Sequence, residues 1–106
     1  KKMVKELKTS GELEDEGFYM HHCVAGYDSK VENEQCRIFH LETGMGHSTL
    51  ELNENFDVVQ HKGFSNNSPR TKNMILAGIL VEYLKNQILS NSDIMELERI
   101  VNDYKI

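Results

Sequence analysis

With 106 residues, 39% of them hydrophobic and 27% charged, the chain has the make-up of one globular domain rather than of a disordered segment. A net charge of -5 excludes a protein whose main work is coating phosphate backbones, because such binding rests on Lys and Arg. No apolar run approaches membrane-span length, no signal-peptide pattern opens the chain, and two cysteines, Cys23 and Cys36, are too few for a disulfide framework. Both thiols are therefore read as reduced and the compartment as cytoplasmic. Lys rather than Met stands first, so residues 1–106 are read as a single domain trimmed or excised from a longer chain.

Met3, Val4 and Leu7 recur at helical spacing, and residues 1–8 read as a helix end. Thr9-Ser10-Gly11-Glu12 has the pattern of a capping box, and the short helix it opens is expected to close at Gly17. Glu12, Glu14, Asp15 and Glu16 form the solvated face of that helix. Residues 18–27 are mostly apolar or aromatic and are expected to lie buried against a sheet. Strand alternation is absent there, which favours a short helix from about His21 to Val31, with Gly26 marking a kink or close approach.

Residues 36–41 and 48–52 alternate, with Gly44-Met45-Gly46 as the reversal between them. Centring the hairpin on Gly44-Met45 puts Phe39 opposite Leu50 and Leu41 opposite Ser48. Phe39, Leu41, Leu50 and Leu52 then share a core face, and His40, Thr49 and Glu51 a solvated one. Asn53-Glu54-Asn55 is a turn, and residues 57–61 return as a third strand. A tight turn there places Val59 and His61 on the face of Leu50 and Ser48.

Residues 62–68 are loop chemistry, and Ser68-Pro69 reads as N-cap and first turn of a helix to about Leu89. Its apolar first half, residues 74–81, marks a central helix covered on most sides. Ser92 is expected to cap a last helix with Ile94, Leu97, Val101 and Tyr104 as its apolar stripe. The order gives an α+β fold: short N-terminal helices, a three-stranded antiparallel meander and two C-terminal helices.

Four short motifs stand in order: Glu16-Gly17; Met20-His21-His22-Cys23-Val24 with Gly26-Tyr27; Ser48-Thr49-Leu50-Glu51-Leu52; and Val59-Gln60-His61-Lys62-Gly63 with Asn66 and Pro69. In order and spacing, over about residues 9–69, they resemble the PcfJ-like domain family of conjugative plasmids and phages. Ala25 stands in place of a second glycine of that pattern, and Phe64 where a basic residue more often follows the glycine. Both departures count against a retained phosphate groove. The resemblance implies a mobile-element setting in a bacterial cytoplasm and supplies no reaction.

Candidate chemistry centres on His21-His22-Cys23. A neighbouring imidazole lowers a thiol pKa and makes a nucleophile. Adjacent helical residues, however, point about 100° apart, so a working pair would be Cys23 with His61, brought together by the fold. Against this stands Cys23 as a small buried hydrophobe. His21, Cys23, His40, His47 and His61 are of zinc-ligand type, and a site across strands would join His40 with His47 or Cys23 with His61. No Cys-x-x-Cys or helical His-x-x-x-His spacing is present, so no cofactor is assigned. Glu51 is a general base only if a pocket forms beside it.

The loop after His61 is the strongest ligand-binding segment, since backbone amides with Lys62 and Arg70 converge before a helix N-terminus. The plain alternative is an Asx-rich turn that caps the helix. The expected site is a composite of His22, Cys23 and Tyr27 with Gln60, His61, Lys62, Gly63 and Asn66. Its expected role is a non-enzymatic binding module engaging a protein or protein–nucleic-acid complex, extending by analogy of setting to inhibition of a host defence nuclease such as a CRISPR effector. The alternative is a small Cys/His- or metal-dependent hydrolase or nucleotide-processing domain using Cys23 and His61. The apolar helix equally suits burial or a homodimer interface.

Overall fold

The computed structural model describes residues 2–21 and 35–105. In chain order these form β1 (Val4–Leu7), α1 (Ser10–Met20), β2 (Cys36–Thr43), β3 (Gly46–Asn53), β4 (Val58–Gly63), a 3-10 turn (Phe64–Asn66), α2 (Thr71–Asn86) and α3 (Asn91–Lys105). The class is α+β. The sheet has four antiparallel strands in the order β1-β2-β3-β4, one more than the alternation of residues 36–61 predicts.

The extra strand is β1, where helical spacing suggests a helix end. Val4 pairs with Leu41 and Leu7 with Ile38, and the Glu42 N–H donates to Met3 O at 2.8 Å. Three apolar residues in eight fit either period, and edge pairing decides because it buries Leu7 to 3% exposure. Glu6 on β1 accepts two bonds of 2.8 Å from the Arg37 guanidinium, whose fork geometry matches the carboxylate. That hydrogen bond holds the Glu6 carboxyl below its ordinary range.

α1 opens as predicted. Thr9 Oγ1 accepts the Glu12 N–H at 3.1 Å, and Glu12 Oε1 accepts the Thr9 N–H at 3.2 Å. The helix does not close at Gly17. It runs on to Met20, with His21 as left-handed cap at φ 55° donating its N–H to Gly17 O. Leu13, Glu16 and Met20 form one buried stripe along it, and packing of that stripe outweighs the roughly 1 kcal/mol that glycine costs inside a helix. Helical period also explains why Phe18 is 87% exposed rather than buried. The helix expected over residues 21–31 falls almost wholly on residues 22–34, outside the described residues.

The β2–β3 hairpin has the predicted register, Phe39 opposite Leu50 and Leu41 opposite Ser48, across a turn at Gly44-Met45. Gly46 takes φ 137°, which a side chain would make costly. One sheet face carries Phe39, Leu41, Leu50 and Leu52, packed against Leu76, Ala77, Ile79 and Ile100 of α2 and α3. The other face is not solvated. Leu13 of α1 packs there with Leu7, Cys36 and Ile38, so Thr49 and Glu51 are each only 6% exposed. α1 is the covering layer that alternation within the strands alone does not reveal.

A bulge between Glu51 and Leu52 breaks the β3–β4 register. His61 lies on the face of Leu50 and Ser48, as expected, and pairs with Leu50, but Val59 is 55% exposed. α2 begins at Thr71 with Arg70 as its N-cap rather than at Ser68-Pro69. The Gly63 N–H donates to Asn67 O at 2.7 Å, and residues 67 and 70 stay extended. Only one side of α2 is buried, through Asn73, Leu76, Ala77 and Ile79, while Met74 is 56% exposed. Ser90, not Ser92, caps α3 by accepting the Asp93 N–H at 3.1 Å. Ile100 then becomes the residue of α3 buried in the core, and Ile94 stays 39% exposed. Lys72 and Asp103 join α2 to α3 as an ion pair. Among the described residues no helix is long and apolar enough to cross a membrane.

Candidate functional site

Alternation along β2 and β3 puts His40, Glu42, His47 and Thr49 on the face covered by α1, with His40 paired to Thr49 and Glu42 to His47. Onto this face α1 delivers Glu16, 6% exposed. Its Oε2 accepts from the Thr49 hydroxyl at 2.5 Å and from His40 Nδ1 at 2.7 Å. Once Nδ1 of a neutral His40 donates, its Nε2 can only accept, so the His47 Nδ1–H donates across the 2.9 Å between them. His47 Nε2 in turn accepts from the Tyr19 hydroxyl at 3.2 Å. Glu42 Oε1 lies 3.6 Å from His47 Nδ1. The result is a chain of hydrogen-bonded side chains from Tyr19 on the surface to the buried Glu16, with that direction when His40 is neutral.

Of the predicted metal-type pairs, His40 with His47 is therefore brought together. Sequence reasoning missed Glu16, assigning it to a solvated acidic face. The available signal was its place in the Leu13, Glu16, Met20 stripe, which is legible only if the helix is carried past Gly17.

A second polar network lies on the opposite face. Asn73 of α2, fully buried, donates to Ser48 Oγ at 2.9 Å and to Gly46 O at 3.1 Å, and accepts from the Thr43 hydroxyl at 2.5 Å. His61 Nε2 is 2.8 Å from the same Ser48 Oγ. Burial pushes the His61 pKa down to about 4, so the ring is neutral and Ser48 meets it without a charge. Ser48 is itself fully buried, which makes this group a brace between helix and hairpin rather than a nucleophile.

The remaining predicted residues divide clearly. His22, Cys23 and Tyr27 lie outside the described residues. Gln60 donates to Glu51 Oε1 at 3.0 Å, which ties the proposed base Glu51 into the sheet. Lys62 and Asn66 are exposed, and Asn66 follows Ser65 in the left-handed region, at φ 63° and 54°. Gly63 is buried, and a Cβ there would sit 3.3 Å from the carbonyl oxygens of Asn67 and Ser68. At the end of α1 the His21 ring lies 4.5 Å from that of Phe64 in the turn after β4.

Beside that contact is a cleft of about 550 Å³, lined by residues that include Tyr19, Met45, His47, Phe64 and Arg70. A neighbouring cleft of about 520 Å³ is lined by Lys5, Glu12, Asp15, Glu16, His40 and Glu42, and the two meet at Tyr19 and His47.

No curated protein and no solved structure matches the chain. The family model described as PcfJ-like protein matches residues 1–76, a span that holds the whole sheet, α1 and the loop after β4. With that match over most of its length, the chain belongs to the PcfJ-like protein family.

Proposed function

We propose that this protein is a binding module of a mobile genetic element, a plasmid or phage protein that acts in the bacterial host cytoplasm on a protein or protein–nucleic-acid complex. The observation that carries the reading is the wall of the Phe64 cleft. Tyr19, Met45 and Phe64 are 54%, 47% and 50% exposed, yet they come from α1, the hairpin turn and the 3-10 turn to face one cleft, with Arg70 beside them. Tyr, Phe, Met and Arg are the types enriched where protein interfaces are buried. The net charge of -5 favours a partner with a protein surface over bare nucleic acid. Inhibition of a host defence nuclease such as a CRISPR effector fits the mobile-element setting and is the first partner class to try.

The alternative of a Cys/His hydrolase has less support. His61 is engaged with Ser48, and its folded pKa of about 4 makes it a weak base. Capture of a partner from host lysate by the tagged chain tests the reading. Tyr19→Ala with Phe64→Ala is expected to weaken capture at least about tenfold, the scale of a truncated hot spot, with unchanged circular dichroism. Cys23→Ser is expected to leave capture intact. Equal capture by the double variant, or turnover that Cys23→Ser abolishes, overturns the proposal.

A further inference from the structure

We infer that His40, Glu42 and His47 form a binding site for a divalent first-row transition ion of the zinc type, held by His40 Nε2, His47 Nδ1 and Glu42 Oε1. The site shares Tyr19 and His47 with the partner cleft described above but does not rest on partner binding there. Three physical observations carry it.

The first is ligand spacing. The three donor atoms lie within 4.8 Å of one another, with 2.9 Å between the imidazole nitrogens and 3.6 Å from His47 Nδ1 to Glu42 Oε1. Ligands bound to zinc at about 2.0–2.2 Å stand about 3.0–3.4 Å apart for angles between octahedral and tetrahedral. Two of the three separations already lie within a few tenths of an ångström of that spacing, and the third is no more than 4.8 Å. Antiparallel pairing of Glu42 with His47 holds the spacing.

The second is the outer contacts. A metal-bound histidine ordinarily gives its other ring N–H to an oxygen acceptor, which fixes tautomer and orientation. Here the nitrogens remote from the cluster already have oxygens: His40 Nδ1 faces Glu16 Oε2 at 2.7 Å, and His47 Nε2 faces the Tyr19 hydroxyl at 3.2 Å. Glu16 is itself held by Thr49. Binding replaces the hydrogen bond between the two imidazoles. The proton on His47 Nδ1 moves to Nε2 and is donated to the Tyr19 oxygen, which frees Nδ1 for the ion.

The third is access and charge. Among the described residues the adjoining cleft is lined by Glu12, Asp15, Glu16 and Glu42 against the ammonium of Lys5, a field that draws cations. The His47 side chain is 31% exposed, whereas those of Glu42 and His40 are 15% and 17% exposed, so His47 is the entry lip. Among the described residues the site has three protein ligands and a coordination position toward the cleft, the arrangement of a site that exchanges ligands rather than one closed by four side chains.

Titration of the full chain with Zn²⁺, and with Co²⁺ as an optical probe, tests the site. One-to-one saturable binding is expected, with d–d bands showing nitrogen and oxygen ligation without thiolate charge transfer. His47→Gln and Glu42→Gln, each checked for fold by circular dichroism, are expected to abolish it. Glu16→Gln, which leaves the three ligands in place, is expected to weaken it about 10- to 100-fold, as loss of an outer acceptor does. Imidazole ¹⁵N spectra are expected to show His47 changing to the Nε2–H tautomer on adding Zn²⁺. Mg²⁺ in place of Zn²⁺ is expected to produce none of these changes. Absence of saturable Zn²⁺ binding, undiminished binding in His47→Gln, or binding that depends on Cys23 overturns the inference.

Discussion

Glu16, buried, and His61, half-buried, are titratable side chains with different partners. Glu16 is surrounded by donors, the Thr49 hydroxyl and His40 Nδ1. His61 is stripped of water beside a neutral hydroxyl, and desolvation holds its pKa near 4 against an ordinary value of 6.5. Below pH 6.5 the unfolded chain takes up a proton at this residue that the folded chain refuses, so stability falls as pH drops from about 6.5 to about 4. The contribution is complete above pH 6.5 and spent below pH 4. The ring is half-buried, so solvent screens part of the effect and the expected loss is on the order of 1–2 kcal/mol. Urea unfolding midpoints across that range measure it, and His61→Gln, which removes the titrating ring, is expected to flatten this part of the profile. An unchanged profile in His61→Gln would place the titration elsewhere.

Elements differ in how far their own residues decide them. The capping box of α1 and the β2–β3 hairpin are local devices, a side chain reaching three residues along and a two-residue reversal between alternating runs, and both are legible from spacing. β1 and the end of α1 are not local. Val4–Leu7 is a strand because β2 offers it an edge, and α1 passes Gly17 because Met20 has a buried site to fill. The start of α2 is likewise set by the backbone around Gly63, whose N–H holds Asn67 O at 2.7 Å. A methyl group at Gly63 would meet the Asn67 and Ser68 carbonyls at 3.3 Å. Gly63→Ala is therefore expected to cost about 1–2 kcal/mol, the scale of mild overpacking, read as a lowered denaturation midpoint. By shifting the following turn, it is also expected to weaken the contact of Phe64 with His21, seen as loss of the corresponding ring-to-ring NMR cross-peaks. A midpoint equal to that of the parent would show that the loop gives way freely.

At the scale of the whole molecule, the family match and the core have different extents. The match ends at residue 76, yet Ala77, Ile79 and Ile100 beyond it cover Phe39, Leu41, Leu50 and Leu52. A chain cut after Leu76 loses the helical layer from that face, and burying each large aliphatic side chain is worth about 1.5–3 kcal/mol. Such a chain is expected to lack a cooperative unfolding transition and dispersed amide NMR signals. A well-dispersed spectrum from residues 1–76 would show that the matched segment folds without its helical cover. Sequence alone determined the α+β class, the hairpin register, the Phe39, Leu41, Leu50 and Leu52 core face and the family motifs, because period, turn residues and capping spacing act within a few residues. Tertiary structure alone decided that α1 covers the second sheet face, that Glu16 enters it, and that His40, Glu42 and His47 stand within ligand distance. Those outcomes depend on which buried surface each stripe meets, and that is a property of contacts between residues distant along the chain.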